Sequence, residues 1–133
     1  VRWHDVVTRV IARLNADAQF VAANGGVGRV FLLGANDAPL VPSVEYEVLS
    51  SPQLENTEPV SLRLHNWAYG GTAAAALEAR QRALLDRPIA EEQDGLLMLW
   101  RYEDARSVPD PDPHVVHRVI EFTIEPTRQP WTV

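Results

Sequence analysis

The segment PVSLRLHNWAYGGTAAAALEARQRALLDRP changes its hydrophobic period partway along, and that change limits the folds open to the chain. Val60, Leu62 and Leu64 alternate with Ser61, Arg63, His65 and Trp67, so an extended strand here has one apolar and one mostly polar face. After Gly70 and Gly71 the pattern becomes helical. Ala76, Leu77, Ala83 and Leu84, with the alanines between them, offer a smooth face of small side chains that lets a helix lie close on a sheet. The helix is predicted to start at Thr72, whose hydroxyl suits an N-cap, and to end near Asp86, ahead of Pro88. A half-covered strand running into such a helix calls for a layered structure, with helices on one face of a sheet.

The flanking segments fit that layering. DVVTRVIARLNADAQF puts Val6, Val7, Val10, Ile11 and Leu14 on one helical face and Arg9 and Arg13 on another. Asp5 is its expected N-cap, and Asn24, Gly25 and Gly26 its stop, with room for an extra turn through Phe20 and Val21. RVFLLG reads as a short strand from Arg29 to Leu33, and SVEYEVLSS as a second, with Val44, Tyr46 and Val48 opposite Glu45 and Glu47. The polar segment SPQLENTEP connects it to the strand described first. LLMLWRYEDARSV begins as a nearly continuous apolar run, which predicts a strand covered on both faces in its first half. Past PDPDP, the segment HVVHRVIEFTIEP sets Val116, Ile120, Phe122 and Ile124 against Val119, Glu121, Thr123 and Glu125, with Arg118 interrupting the apolar face.

The expected fold class is α+β: a two-layer sandwich with a mainly antiparallel sheet of about five strands and two helices on one face, in the order α-β-β-β-α-β-β. Residues 1–125 form a single domain and 126–133 an extended tail carrying Trp131. A chain of 133 residues removes roughly 68% of its unfolded surface from water, enough for a core without staples.

Chemistry is sparsely signalled. A glycine turn between strand and helix is a common phosphate cradle, but YGGTAAAA has neither the dinucleotide spacing nor the lysine of a P-loop, so Gly70 and Gly71 read as a corner. His114 and His117 resemble a metal pair, yet side chains three apart on a strand point to opposite faces; His4 and His65 add no recognisable spacing. Glu45 with Glu47, Glu91 with Glu92 and Asp94, and Glu103 with Asp104 lie at turns or on a solvated strand face and read as surface charge. Arg63 and Arg101 are placed to pair with Glu45, Glu47 or Glu121 across the sheet or between subunits. No catalytic, metal or cofactor-binding residue is assigned. Trp67, on the polar face, either caps the sheet edge or meets another chain.

The formal net charge of −6 argues against gripping nucleic acid by neutralising phosphates, while suiting a wall that DNA passes without sticking. The absence of cysteine excludes disulfides, thiolate metal sites and a cysteine nucleophile. With no long apolar run and no signal-peptide pattern, the expectation is a soluble, unexported protein with no membrane association.

Taken in sequence, the helix DVVTRVIARLNADAQF followed by GRVFLLG, the strand SVEYEVLSS, the strand SLRLHNWA feeding GGTAAAALEARQRALLD, and the closing pair LLMLWRYEDARSV and VVHRVIEFTIEP resemble the tail terminator or tail-completion proteins of long-tailed bacteriophages and related prophage elements. The resemblance runs from about Asp5 to Ile124 and rests on element order and hydrophobic pattern. The SPQLENTEP link and the PDPDP hairpin depart from the shorter members.

The resemblance implies a non-enzymatic virion protein assembled in the host cytoplasm. Copies would form a ring, a homohexamer in such families, at the head-proximal end of the tail, ending tail-tube growth and joining the tail to a head-completion or stopper protein. Its partners would be itself, the tail-tube protein and that stopper, with DNA passing through without specific binding and no cofactor. A ring needs a heterologous interface, for which the candidates are Trp67, Arg63, Gln53, Glu55, Asp110, Asp112 and Trp131. The alternatives are another head-tail connector or tail-tube subunit or, from a different class, a small-ligand binding domain or a carboxylate-using enzyme.

Overall fold

Residues 3–37, 40–49, 60–86, 88–90 and 96–128 are described by a computed structural model of the chain. The elements are α1 (Trp3–Asn15), α2 (Ala18–Ala23), β1 (Val30–Leu32), β2 (Ser43–Leu49), β3 (Val60–Tyr69), α3 (Gly71–Leu85), β4 (Pro88–Ala90), β5 (Leu96–Val108) and β6 (Val115–Arg128). The described strands form one six-stranded sheet in the spatial order β1-β2-β3-β6-β5-β4. Only β1 and β2 run parallel; every other neighbouring pair is antiparallel.

The α+β layering is the one expected, with two additions. The extra turn after α1 is a helix of its own, and β4 adds a short strand at the far edge. β6 inserts between β3 and β5, so α3 crosses over it on the way from β3 to the other side of the sheet. β6 also runs on to Arg128, where Pro126, Thr127 and Arg128 pair with Met98, Leu97 and Leu96, so the first three residues of the segment expected as an extended tail continue the strand. Trp131, Gln53, Glu55 and the SPQLENTEP link lie outside the described residues.

One core lies between the layers. Val10 and Leu14 of α1, Phe20 of α2, and Ala74, Leu77 and Leu85 of α3 meet Val44, Leu62, Leu64, Ala68, Trp100, Ile120, Phe122 and Ile124 of the sheet. Each fully covered leucine, isoleucine or phenylalanine contributes about 1.5–3 kcal/mol of transfer free energy, which makes this face the main source of stability. Val44, Leu62, Leu64, Ile120, Phe122 and Ile124 all lie on the faces assigned to them by alternation.

The helical face of α3 is rotated from the alanine-based expectation. The buried side chains are Ala74, Leu77, Gln81 and Leu85, whereas Ala76 and Ala83 are exposed. The cause is a polar pair. Asn66, on the inward face of β3, donates to Gln81 Oε1 at 2.8 Å and accepts from Gln81 Nε2 at 2.7 Å, with both side chains fully buried. Each amide satisfies the other, and this fixes the rotation and height of α3 on the sheet.

Two capping expectations are also corrected. The N-cap of α3 is Gly70, at φ 91° and ψ 161°, with no side-chain cap, and Thr72 lies inside the helix. Glycine supplies a backbone conformation that other residues reach only with strain, so the corner is made by the residue type itself. α1 begins at Trp3, which puts Asp5 within the helix. The side-chain cap belongs to α2: Asp17 accepts from Phe20 N at 2.8 Å. The same carboxylate takes two hydrogen bonds from Arg80, at 2.9 and 2.8 Å, tying α2 to α3. Arg80 first, and then the Phe20 amide, hold the Asp17 carboxyl below the usual carboxylate range.

Among the described residues no helix is long and apolar enough to cross a membrane.

Candidate functional site

The helices occupy one face of the sheet, and the other carries the polar members of each strand. Strand register determines which of them meet. Glu47, Arg63 and Glu121 fall in one row across β2, β3 and β6; Glu45, His65 and Val119 in the next; Ser43, Trp67 and His117 in the third.

In the first row Arg63 Nε donates to Glu121 Oε1 at 3.0 Å, and its Nη1 lies 3.7 Å from Glu47 Oε1. The expected cross-sheet pairing of Arg63 is therefore present, within the chain. Glu47 also accepts from His65 Nε2 at 2.8 Å. Since the carboxylate only accepts, that nitrogen carries the proton, and in that tautomer Nδ1 is left to accept. Nδ1 lies 3.0 Å from His117 Nε2, which then donates. The result is a chain of polar contacts from Glu121 through Arg63, Glu47 and His65 to His117.

His117 ends that chain in a restricted setting. Its ring stacks on Trp67, with centroids 4.2 Å apart and planes 17° from parallel. Burial, the neighbouring His65 and, to a smaller degree, Arg106 push its protonation below the usual imidazole range, while Asp110 works the other way. A neutral His117 keeps the histidine contact free of like-charge repulsion.

The spacing of histidines in sequence paired the wrong two. His114 sits in the exposed turn before β6, and the partner of His117 is His65, its diagonal neighbour across the antiparallel β3–β6 pair. A strand-pairing prediction aligning Trp67 with His117 would have found it. Among the described residues no three histidine, aspartate or glutamate side chains are grouped so as to hold a metal ion. The facing nitrogens of His65 and His117 are engaged with each other.

Glu45 departs from the solvated reading. It is 2% exposed, and the turn after β1 closes over it, with Gly34 N donating to Oε1 at 2.9 Å. Its Oε2 is buried with no hydrogen-bond partner among the described residues.

Beside Trp67 the face opens into a cavity of about 360 Å³ lined by Val41, Trp67, Tyr69, Asp110, Pro111, Asp112 and Val115. This brings Trp67, Asp110 and Asp112 together from the sequence-level candidates; Arg63 lies two rows away, engaged with its glutamates. Trp67 is 6% exposed, so its ring is largely covered within its own sheet. Tyr69, not among the interface candidates read from the sequence, is 60% exposed. The PDPDP turn is ordered by its aspartates: Asp110 Oδ1 accepts from Asp112 N at 2.9 Å and Asp112 Oδ1 from His114 N at 2.8 Å.

No protein-family model matches the chain, and no curated protein matches it. Among solved structures, a chain described as "Virion of native gene transfer agent (GTA) particle" is similar in fold, with a TM-score of 0.64 at 15% identity over 88% of this chain and 90% of that one. At that identity the likeness is one of fold.

Proposed function

We propose that the chain is a non-enzymatic structural protein of a phage-type virion, and within the virion a tail terminator. Copies close into a ring, a hexamer by family resemblance, at the head-proximal end of the tail; the ring stops tube growth and receives the head-completion or stopper protein. DNA crosses its channel without specific contacts, in keeping with the net charge of −6.

The observation that carries this reading is the end-to-end fold likeness to a virion chain, which spans nearly the full length of both proteins. The polar sheet face is compatible with it. On that face Glu121, Arg63, Glu47 and His65 are bound to one another, and the cavity beside Trp67 combines aromatic walls with an acidic rim.

The test is multi-angle light scattering over a range of concentrations, alone and with assembled tail tubes. The expected result is a closed oligomer, at least when tubes are present. A monomer under every condition would overturn the ring.

A further inference from the structure

We propose that the cavity beside Trp67 receives an arginine side chain from a second copy of this chain. The proposal deepens the ring reading and rests on it.

The cavity, about 360 Å³, is near the lower end of ligand pockets, which run from about 300 to 1,000 Å³. Its chemistry favours a flat cation. Trp67, held by the stack on His117 and largely covered, lines the cavity as a rigid wall, and the aromatic surface open to a guanidinium is that of the largely exposed Tyr69. The rim supplies charge: Asp110 and Asp112 each commit Oδ1 to a backbone N–H, which orients the carboxyls and leaves each Oδ2 without a hydrogen bond among the described residues. Two fixed carboxylates beside an aromatic wall complement the planar, multi-donor head of arginine better than the compact ammonium of lysine.

The chain itself offers the partner. All 12 of its basic residues are arginine. Arg101 is exposed on β5, on the face opposite the half-buried Tyr102, which packs against the core, with no hydrogen-bond or ion partner among the described residues. It precedes Val108, at the cavity end of β5, by seven positions, roughly 23 Å at about 3.3 Å per residue. Donor and acceptor patches are thus separate on one subunit, as a head-to-tail contact requires, and repetition of that contact closes a ring.

The first arm of the test titrates isotopically labelled protein with L-argininamide, followed by amide and indole resonances. Saturable shifts confined to Asp110–Val115, Tyr69 and the Trp67 indole are expected, several-fold weaker with L-lysinamide, and weakened at least tenfold by D110N/D112N. Asparagine keeps each Oδ1 acceptor, so the turn survives, and an unchanged amide spectrum elsewhere verifies it. No saturable binding, or equal binding to the double variant, overturns the proposal. The second arm uses the absence of native cysteine. H114C protein, labelled beside the rim, is mixed with D104C protein, labelled near Arg101, and treated with a short bis-maleimide. Crosslinks between the two variants, lost when R101Q is added to the D104C protein, are expected. Argininamide binding without this crosslink overturns a second copy as the source and assigns the cavity to another protein. If D110N/D112N protein still forms the tail ring, the cavity proposal fails and the ring reading stands.

Discussion

The reciprocal amide pair between Asn66 and Gln81 makes a demand that an apolar interface would not. Replacing Gln81 by leucine removes both hydrogen bonds, at 2.8 and 2.7 Å, and leaves two polar atoms of Asn66 in a fully buried site. Each orphaned group costs about 1–3 kcal/mol, and the apolar surface gained by leucine offsets part of this, leaving a net loss of about 2–4 kcal/mol. For 133 residues the unfolding entropy is about 0.28 kcal/mol/K, so a loss of about 3 kcal/mol lowers Tm by about 10 °C. Removing the second partner as well, in N66L/Q81L, should recover most of the loss, because a buried pair replaced by apolar groups is nearly neutral. Guanidinium unfolding of the wild type, the two single variants and the double variant gives the coupling energy directly. A Q81L loss below about 0.5 kcal/mol, or a double variant as unstable as the sum of the singles, would refute the role given to this pair.

Three further outcomes follow from the same structure. G70A should destabilise by about 1–3 kcal/mol, since φ 91° strains any L side chain. G71A, in the first helical position with open space around it, should instead stabilise by about 0.4–1 kcal/mol, and thermal melts of both check the contrast. The folded-state pKa of His117 lies below the 6.5 of an ordinary imidazole, so its contribution to stability is complete above pH 6.5 and is lost as pH falls through the folded value. Denaturant unfolding between pH 7.5 and 4.5 should show this decline, and H117Q should flatten it. Asp17 titrates below 3.8 in the folded chain, chiefly through Arg80, so its contribution persists above that pH and disappears as pH falls further. D17N should therefore shorten the acid limb of the unfolding curve.

Most of the layering is legible in the sequence because it is written in hydrophobic period. The alternation in β2, β3 and β6 assigned Val44, Leu62, Leu64, Ile120 and Phe122 to the covered face, and they lie there. Period is silent about which strands are neighbours. The insertion of β6 between β3 and β5, and with it the meeting of Trp67, His65 and His117, depends on pairing between distant segments. Propensity misled at α3, where alanine content suggested the contact face but the Asn66–Gln81 pair set the rotation. The same limit applied to Glu45, which its strand face marked as solvated; a turn contributed by another segment covers it. At the cavity, Trp67, Asp110 and Asp112 stood out singly, an aromatic on a polar face and two aspartates between prolines. Their convergence came from the β5–β6 hairpin folding back beside the end of β3.

The most direct measurement is electron microscopy of tails assembled with and without this protein. With the protein present, tubes should end at a uniform length and carry a ring of extra density at the head-proximal end, into which labelled copies map. Without it, tubes should overgrow and fail to join heads. Normal tail length and head joining in its absence, or label distributed along the tube, would contradict the proposed role.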